Sequence, residues 1–149
     1  TMAITQAIAN NFKKLLLEGD SNFSQSSGDK YKLALYTSSA TLNSATTSLL
    51  TSSPTHEVTS SNYSAGGGAL VNNPTSLTAG VARADFADLS FQNVTLTARG
   101  ALIYNTSSAT TNSAVCVLDF GGDKTATSGT FTVQFPAPTS TAAILRISG

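Results

Sequence analysis

The sequence predicts an all-β fold, a single β-sandwich of the jelly-roll kind with one α-helix at its N-terminus. Three observations predict it. From Tyr31 onward, apolar residues recur with a period of two, as at residues 31–36 and 94–104. Turn-forming clusters separate these runs: Gly121-Gly122-Asp123, Ser128-Gly129 and Pro136-Ala137-Pro138. Ser and Thr supply 43 of the 149 residues, whereas charged residues make up only 11%. An average soluble domain carries about 25%.

The helix comes first, within residues 1–19. Ile4, Ile8, Phe12, Leu15 and Leu16 recur at helical spacing, Lys13 and Lys14 fall off that stripe, and Gly19 suits the position after the last turn. The helix is predicted over residues 4–18, its stripe packing on the domain's own sheet or docking on a neighbouring subunit. Strands follow over residues 31–148. Residues 31–36, 81–86, 89–91, 94–104, 114–120, 131–135 and 142–147 each read as a short strand, and Ala69-Leu70-Val71 as another. Gly100 falls inside a strand and so marks a bulge or a close backbone approach. The run 114–120 is apolar on both faces and reads as central. Leu33, Leu35, Leu96, Leu102, Val115, Val117, Phe131, Val133 and Leu145 are the predicted core. Residues 37–53 and 105–113 are Ser/Thr-rich connections. The first is long enough to bind or cover something, or to hold a short strand.

Length and charge narrow the function classes. At 149 residues the chain is one domain. Eight basic residues balance eight acidic ones, so no charge field points to nucleic acid. No apolar run reaches the roughly 20 residues of a membrane-spanning helix, and the N-terminal stretch has no apolar core of a secretion signal. Cys116 is the only cysteine and sits in the apolar run Ala114-Val115-Cys116-Val117-Leu118, so it reads as a buried thiol.

No catalytic, cofactor-binding or metal-ligating residue is assigned. The run Gly66-Gly67-Gly68 lacks the Gly-Lys-Ser/Thr of a phosphate loop and reads as a tight turn into a strand. His56-Glu57 is one imidazole beside one carboxylate, too few ligands for a metal. Asp85, Asp88, Asp119 and Asp123 lack the alternating carboxylates of a calcium loop, and ion pairs with Arg83, Arg99 or Arg146 are expected instead. One histidine and no Gly-x-Ser-x-Gly elbow leave nothing for a hydrolase triad. The Asn-x-Ser/Thr triplets at Asn22, Asn62, Asn93 and Asn105 follow from composition. The expected contact residues are Ile4, Ile8 and Phe12 of the helical stripe, with Thr41, Leu42, Leu49 and Leu50 of the long connection.

Several motifs occur in a fixed order. Phe12-Lys13-Lys14-Leu15-Leu16-Leu17-Glu18-Gly19 leads to Asn22-Phe23. Then come Asp29-Lys30-Tyr31-Lys32-Leu33-Ala34-Leu35-Tyr36-Thr37-Ser38-Ser39-Ala40-Thr41-Leu42, Glu57-Val58 and Asn62-Tyr63-Ser64-Ala65-Gly66-Gly67. Ala84-Asp85-Phe86, Ala98-Arg99-Gly100-Ala101-Leu102-Ile103-Tyr104-Asn105 and Leu118-Asp119-Phe120-Gly121-Gly122-Asp123-Lys124 complete the series. Over residues 4–148 the series resembles a family of small proteins encoded among the virion genes of tailed bacteriophages, including phages of cyanobacteria and other marine bacteria. The resemblance implies a virion location, no cofactor and no catalytic residue. By size and fold such a protein is similar to capsid cement or decoration proteins, which bind between capsomers. The implied partners are the major capsid protein and further copies of the chain, a trimer before a dimer, with no nucleic acid and no membrane. A tail, neck or baseplate component and a carbohydrate-binding host-attachment module are the alternatives. Against the module, Trp is absent.

Overall fold

A computed structural model describes residues 3–49, 56–136 and 144–148. In chain order the elements are β1 (Ala7–Ile8), α1 (Asn10–Leu17), β2 (Tyr31–Tyr36), β3 (Gly68–Ala69), β4 (Ser76–Thr78), β5 (Val81–Ala84), β6 (Leu89–Asn105), β7 (Ser113–Val133) and β8 (Leu145–Ile147). Five strands form an antiparallel sheet in the order β1-β7-β6-β2-β3, and three form a second in the order β4-β5-β8. The protein is therefore all-β, with two antiparallel sheets and one short helix. The two sheets are consistent with a β-sandwich, in which β6 pairs with β7 and β4 with β5 as sequential neighbours.

The dominant element is the β6–β7 hairpin, and it corrects the expectation of many short strands. Residues 89–91 and 94–104 join into one strand of 17 residues, and residues 114–120 and 131–133 into one of 21. Two of the clusters that resemble turns, Gly121-Gly122-Asp123 and Ser128-Gly129, lie inside β7 at its bulges, while Pro136 follows the strand and residues 137–138 lie outside the described residues. Ala98 pairs with Lys124 and Gly100 with Asp119, so Phe120 to Asp123 all stand against Arg99. Gly121 takes φ +80° there, a conformation that glycine adopts without steric cost. Further register shifts flank Val94, with Asn93 at φ +55° and Ser128 at φ +45°. Bulges bend and twist a strand. Consequently Phe120 and Phe131, on the same strand, bring their ring centroids to 6.2 Å, where a straight strand would hold them roughly 35 Å apart. At Gly100 the register shifts, and a Cβ would lie 2.5 Å from the Leu118 carbonyl oxygen, so bulge and close backbone approach coincide.

The helix is shorter than its periodicity suggests. It begins at Asn10, not at Ile4. Upstream, the Thr5 and Ala9 amides donate to the Leu42 and Val115 carbonyls, at 2.9 Å each, instead of joining a helical ladder. Ile4 forms a parallel bridge with Leu42, and Ala7 and Ile8 pair with Val117 and Cys116. This extended run covers part of the outer edge of β7, which suits β-branched isoleucine. The predicted end holds. Gly19 has φ +78° and donates to Leu16 O, while Asp20 donates to Leu15 O at 2.9 Å, the two bonds of a Schellman cap.

All nine predicted core residues are buried. An aromatic cluster closes one side of the core. Phe23 stacks on Tyr31 with centroids 4.6 Å apart, and Phe12 and Phe86 pack against them. The connection after β2 is a cover, not a free loop. Ala40 and Leu42 are buried, Ser48 bridges Ser113, and Asn10 N–H donates to Ser44 O at 2.7 Å. Residues 50–53 of that connection and 142–143 of the last expected strand lie outside the described residues. Truncating Val117 to Ala removes two methyl groups from a fully buried site. It is expected to cost about 2 kcal/mol, read by denaturant unfolding. An unchanged midpoint would make β7 peripheral.

Candidate interaction surface

The chemistry-bearing residues are spent on holding loops. Glu57 bridges to Tyr36 in the backbone, and its carboxylate Oε2 accepts from Tyr63 Oη and from Gly66 N–H, each at 2.7 Å. Tyr63 Oη in turn accepts the buried Leu35 N–H at 2.8 Å. Tyr104 Oη donates to Gly66 O at 2.5 Å. Burial first, and the nearby Glu57 carboxylate second, push the Tyr104 hydroxyl up to about 12. Burial raises Tyr63 further still. Both phenols stay protonated, so they act as hydrogen-bonding staples. They hold the glycine run flat against β2, where Gly68 pairs with Leu33. His56, at φ +60°, contributes its carbonyl to Thr37 N–H.

The aspartates take separate posts. Asp119 pairs with Arg99 at 3.1 Å, as the low charge content suggested, and accepts Gly121 N–H at 2.9 Å. Asp88 accepts Phe135 N–H at 2.8 Å. Asp20 accepts from Ser108 Oγ and Ala109 N–H, and these bonds hold its carboxyl below the usual range. Asp29 accepts Asn22 N–H at 3.1 Å and the Asn105 side-chain amide at 2.8 Å. Asp20 and Asp29 thereby tie the loop after α1 to the tip of the hairpin. Asn105 is fully buried in that tie, which closes its triplet to modification. Among the described residues no group of three or more His, Cys, Asp or Glu side chains stands where it could hold a metal ion. Cys116 is buried, and burial lifts its thiol to about 12, far from nucleophilic.

Asp85 is the exception in energy. It is 2% exposed, its Oδ1 accepts Phe86 N–H at 2.8 Å, and its Oδ2 has no hydrogen-bond partner. Burial, with the nearby Asp88, raises its pKa. A carboxyl with a raised folded-state pKa stabilises the fold fully below the ordinary carboxylate range. That contribution is lost as pH climbs through the folded value. Asp85→Asn is therefore expected to raise the melting temperature at pH 7, with the gain shrinking toward pH 4. A substituted protein that melts lower at pH 7 than at pH 4, relative to the parent, would reverse the sign.

The expected contact residues divide. Ile4, Phe12 and Leu42 are buried in the domain's own core, where the helical stripe packs in this fold. Ile8 and Thr41 are exposed, Leu49 is half-buried against the core, and Leu50 lies outside the described residues. The apolar surface is elsewhere. Leu17 is 90% exposed, Leu77 71% and Ile147 60%. Leu77 and Ile147 belong to the three-stranded sheet, which joins the core through Ala84 and Leu145. Only its inner residues Ala84 and Leu145 are buried. Between this sheet and the Leu16–Phe23 turn runs a groove of about 670 Å³, lined in part by Phe23, Ala82 and Leu145. Among the described residues, Arg83 is its one charged lining residue. The sequence signal for this surface was faint, because strands of three or four residues show almost no periodicity.

An all-β, loop-stapled domain with exposed Leu77 and Ile147 on its small sheet is the class of protein that the geometry defines. Comparison with known proteins finds no matching family, no matching curated protein and no matching solved structure.

Proposed function

We propose that the chain is a non-enzymatic structural protein of a tailed-phage virion, a cement or decoration protein that binds the major capsid protein between capsomers of the head. One observation carries the reading furthest: Leu77 and Ile147 stay exposed on an apolar groove, on a domain where Glu57, Asp29, Tyr63 and Tyr104 are spent on internal staples. Exposed apolar patches rimmed by polar surface mark association sites. The motif series, which resembles that of a family of phage virion proteins, supplies the setting. A net charge of zero leaves copies free to crowd on a lattice without repulsion. Closed cyclic symmetry, with a trimer before a dimer, suits three-fold positions of a shell. Co-sedimentation with heads built from the same phage's capsid protein tests the reading. Saturable binding at a fixed ratio to capsomers is expected, weakened by Leu77→Asp. Absence of binding to any head form would remove the capsid from the account.

A further inference from the structure

The bulges of β7 that bring Phe120 and Phe131 together also make a cavity. Residues from both sides of the bend line it, and its volume is about 400 Å³. Small-molecule sites begin at about 300 Å³. Phe120, Phe131 and Val133 supply apolar surface, with the two rings inclined at 49°. Phe131 and Val133 are buried and Phe120 is half-buried. Lys124, Thr125, Thr130, Thr132 and Gln134 supply a polar wall and are all exposed. The lining thus comes from β7 and the residue that follows it.

These polar groups keep capacity for a ligand. Thr125 Oγ1 and Thr132 Oγ1 share one hydrogen bond each, with Thr97 Oγ1 at 2.8 Å and Ser90 Oγ at 2.9 Å. A hydroxyl has one donor and two acceptor positions, so both can take a second partner. The side chains of Thr130, Gln134 and Lys124 make no hydrogen bond or ion pair among the described residues. Lys124 is the one charged residue in the lining, and its chain neighbour Asp123 is not part of it.

We infer that this cavity binds a uronic acid unit of a carbohydrate, with one face of the pyranose ring on Phe120 and Phe131 and the carboxylate at Lys124. A pyranose presents C–H groups from its face and hydroxyls from its rim, so one ring meets both kinds of wall. A purely apolar ligand would leave the threonine hydroxyls and the Gln134 amide without partners. A simple anion would leave the phenylalanine surface unused. Two phenylalanines here take the stacking role open to Trp, which the chain lacks. The inference goes beyond the virion reading and does not rest on it, since that reading is tested with whole heads.

Titration of the isotope-labelled full chain, followed by NMR, tests it. The probes are sodium glucuronate and, at matched ionic strength, glucose and sodium acetate. Saturable amide shifts are expected at Lys124, Thr125 and residues 130–134. Glucuronate should bind about fivefold tighter than glucose, the upper range for one exposed charge pair. Acetate should give no saturable shift there. Lys124→Gln is expected to bring glucuronate down to the affinity of glucose and to leave glucose unchanged. Thr130→Val is expected to weaken both sugars, so a fold lost in one variant leaves the other to decide. Equal binding of acetate and glucuronate would reduce the site to a bare cation and overturn the proposal. So would equal binding of glucose and glucuronate, shifts confined to other strands, or no saturable shift with either sugar.

Discussion

Replacing Gly67 by Ala is expected to lower stability by about 4 kcal/mol, the largest single effect in the domain. Two independent causes combine. Gly67 has φ +82°, where an L side chain is strained by about 1–2 kcal/mol. A Cβ built there would also fall on the Leu33 carbonyl and against Ala34 Cα. Both are backbone atoms of β2, paired between β6 and β3, so neither can rotate away. The loop must lift off the sheet, and with it goes the bond from Gly66 N–H to Glu57. Denaturant unfolding reads the change. Gly80 is the internal comparison, since it has φ +78° but nothing within 4 Å of its would-be Cβ. Gly80→Ala should show the strain alone, about 1–2 kcal/mol. Equal effects at the two sites would mean that β3 does not lie flat on β2.

Removing one oxygen at Tyr63 is expected to cost about 3 kcal/mol. In Tyr63→Phe the ring stays, with its packing against Phe91 at 5.2 Å between centroids. Lost are the acceptor for the buried Leu35 N–H and a donor to the Glu57 carboxylate. A buried amide without a partner costs its full desolvation, about 1–3 kcal/mol, and bonds to charged groups are the stronger ones. Tyr104→Phe is the contrast. It removes a single donor to the Gly66 carbonyl and should cost about 1 kcal/mol. Hydrogen exchange at Leu35 separates the two, because only the Tyr63 change should expose that amide. Equal destabilisation with Leu35 still protected would show that water takes the hydroxyl's place.

The strands were legible where a long run met one buried face. The period of two at 94–104 locates β6, and every predicted core position is buried. The end of α1 was legible because a glycine in the left-handed region closes a helix locally. Its start was not. Ile4, Ile8 and Phe12 fit helical spacing, yet the backbone amides at Thr5 and Ala9 find partners on Leu42 and Val115, residues distant in sequence. The same tertiary pairing buries Ile4 and Leu42 and takes them off the surface. The continuity of the hairpin was hidden for a chemical reason. Gly121, Gly122 and Ser128 permit both a turn and a bulge, and only the pairing partner on β6 decides between them. The small sheet was the least legible feature. Its exposure depends on where three short strands meet, and neither Leu77 nor Ile147 differs in sequence from a core residue.

The central claim is that this domain is a repeated building block of a particle and not a catalyst or a single-copy adaptor. The number of copies per particle tests it most directly, measured by quantitative mass spectrometry of purified virions against the major capsid protein. The account predicts copies in fixed proportion to capsomers, on the order of hundreds in a shell where each capsomer site is seated by a closed oligomer. A handful of copies per particle would contradict the cement reading and move the protein to the tail, neck or baseplate. Its absence from the particle would end the virion account altogether.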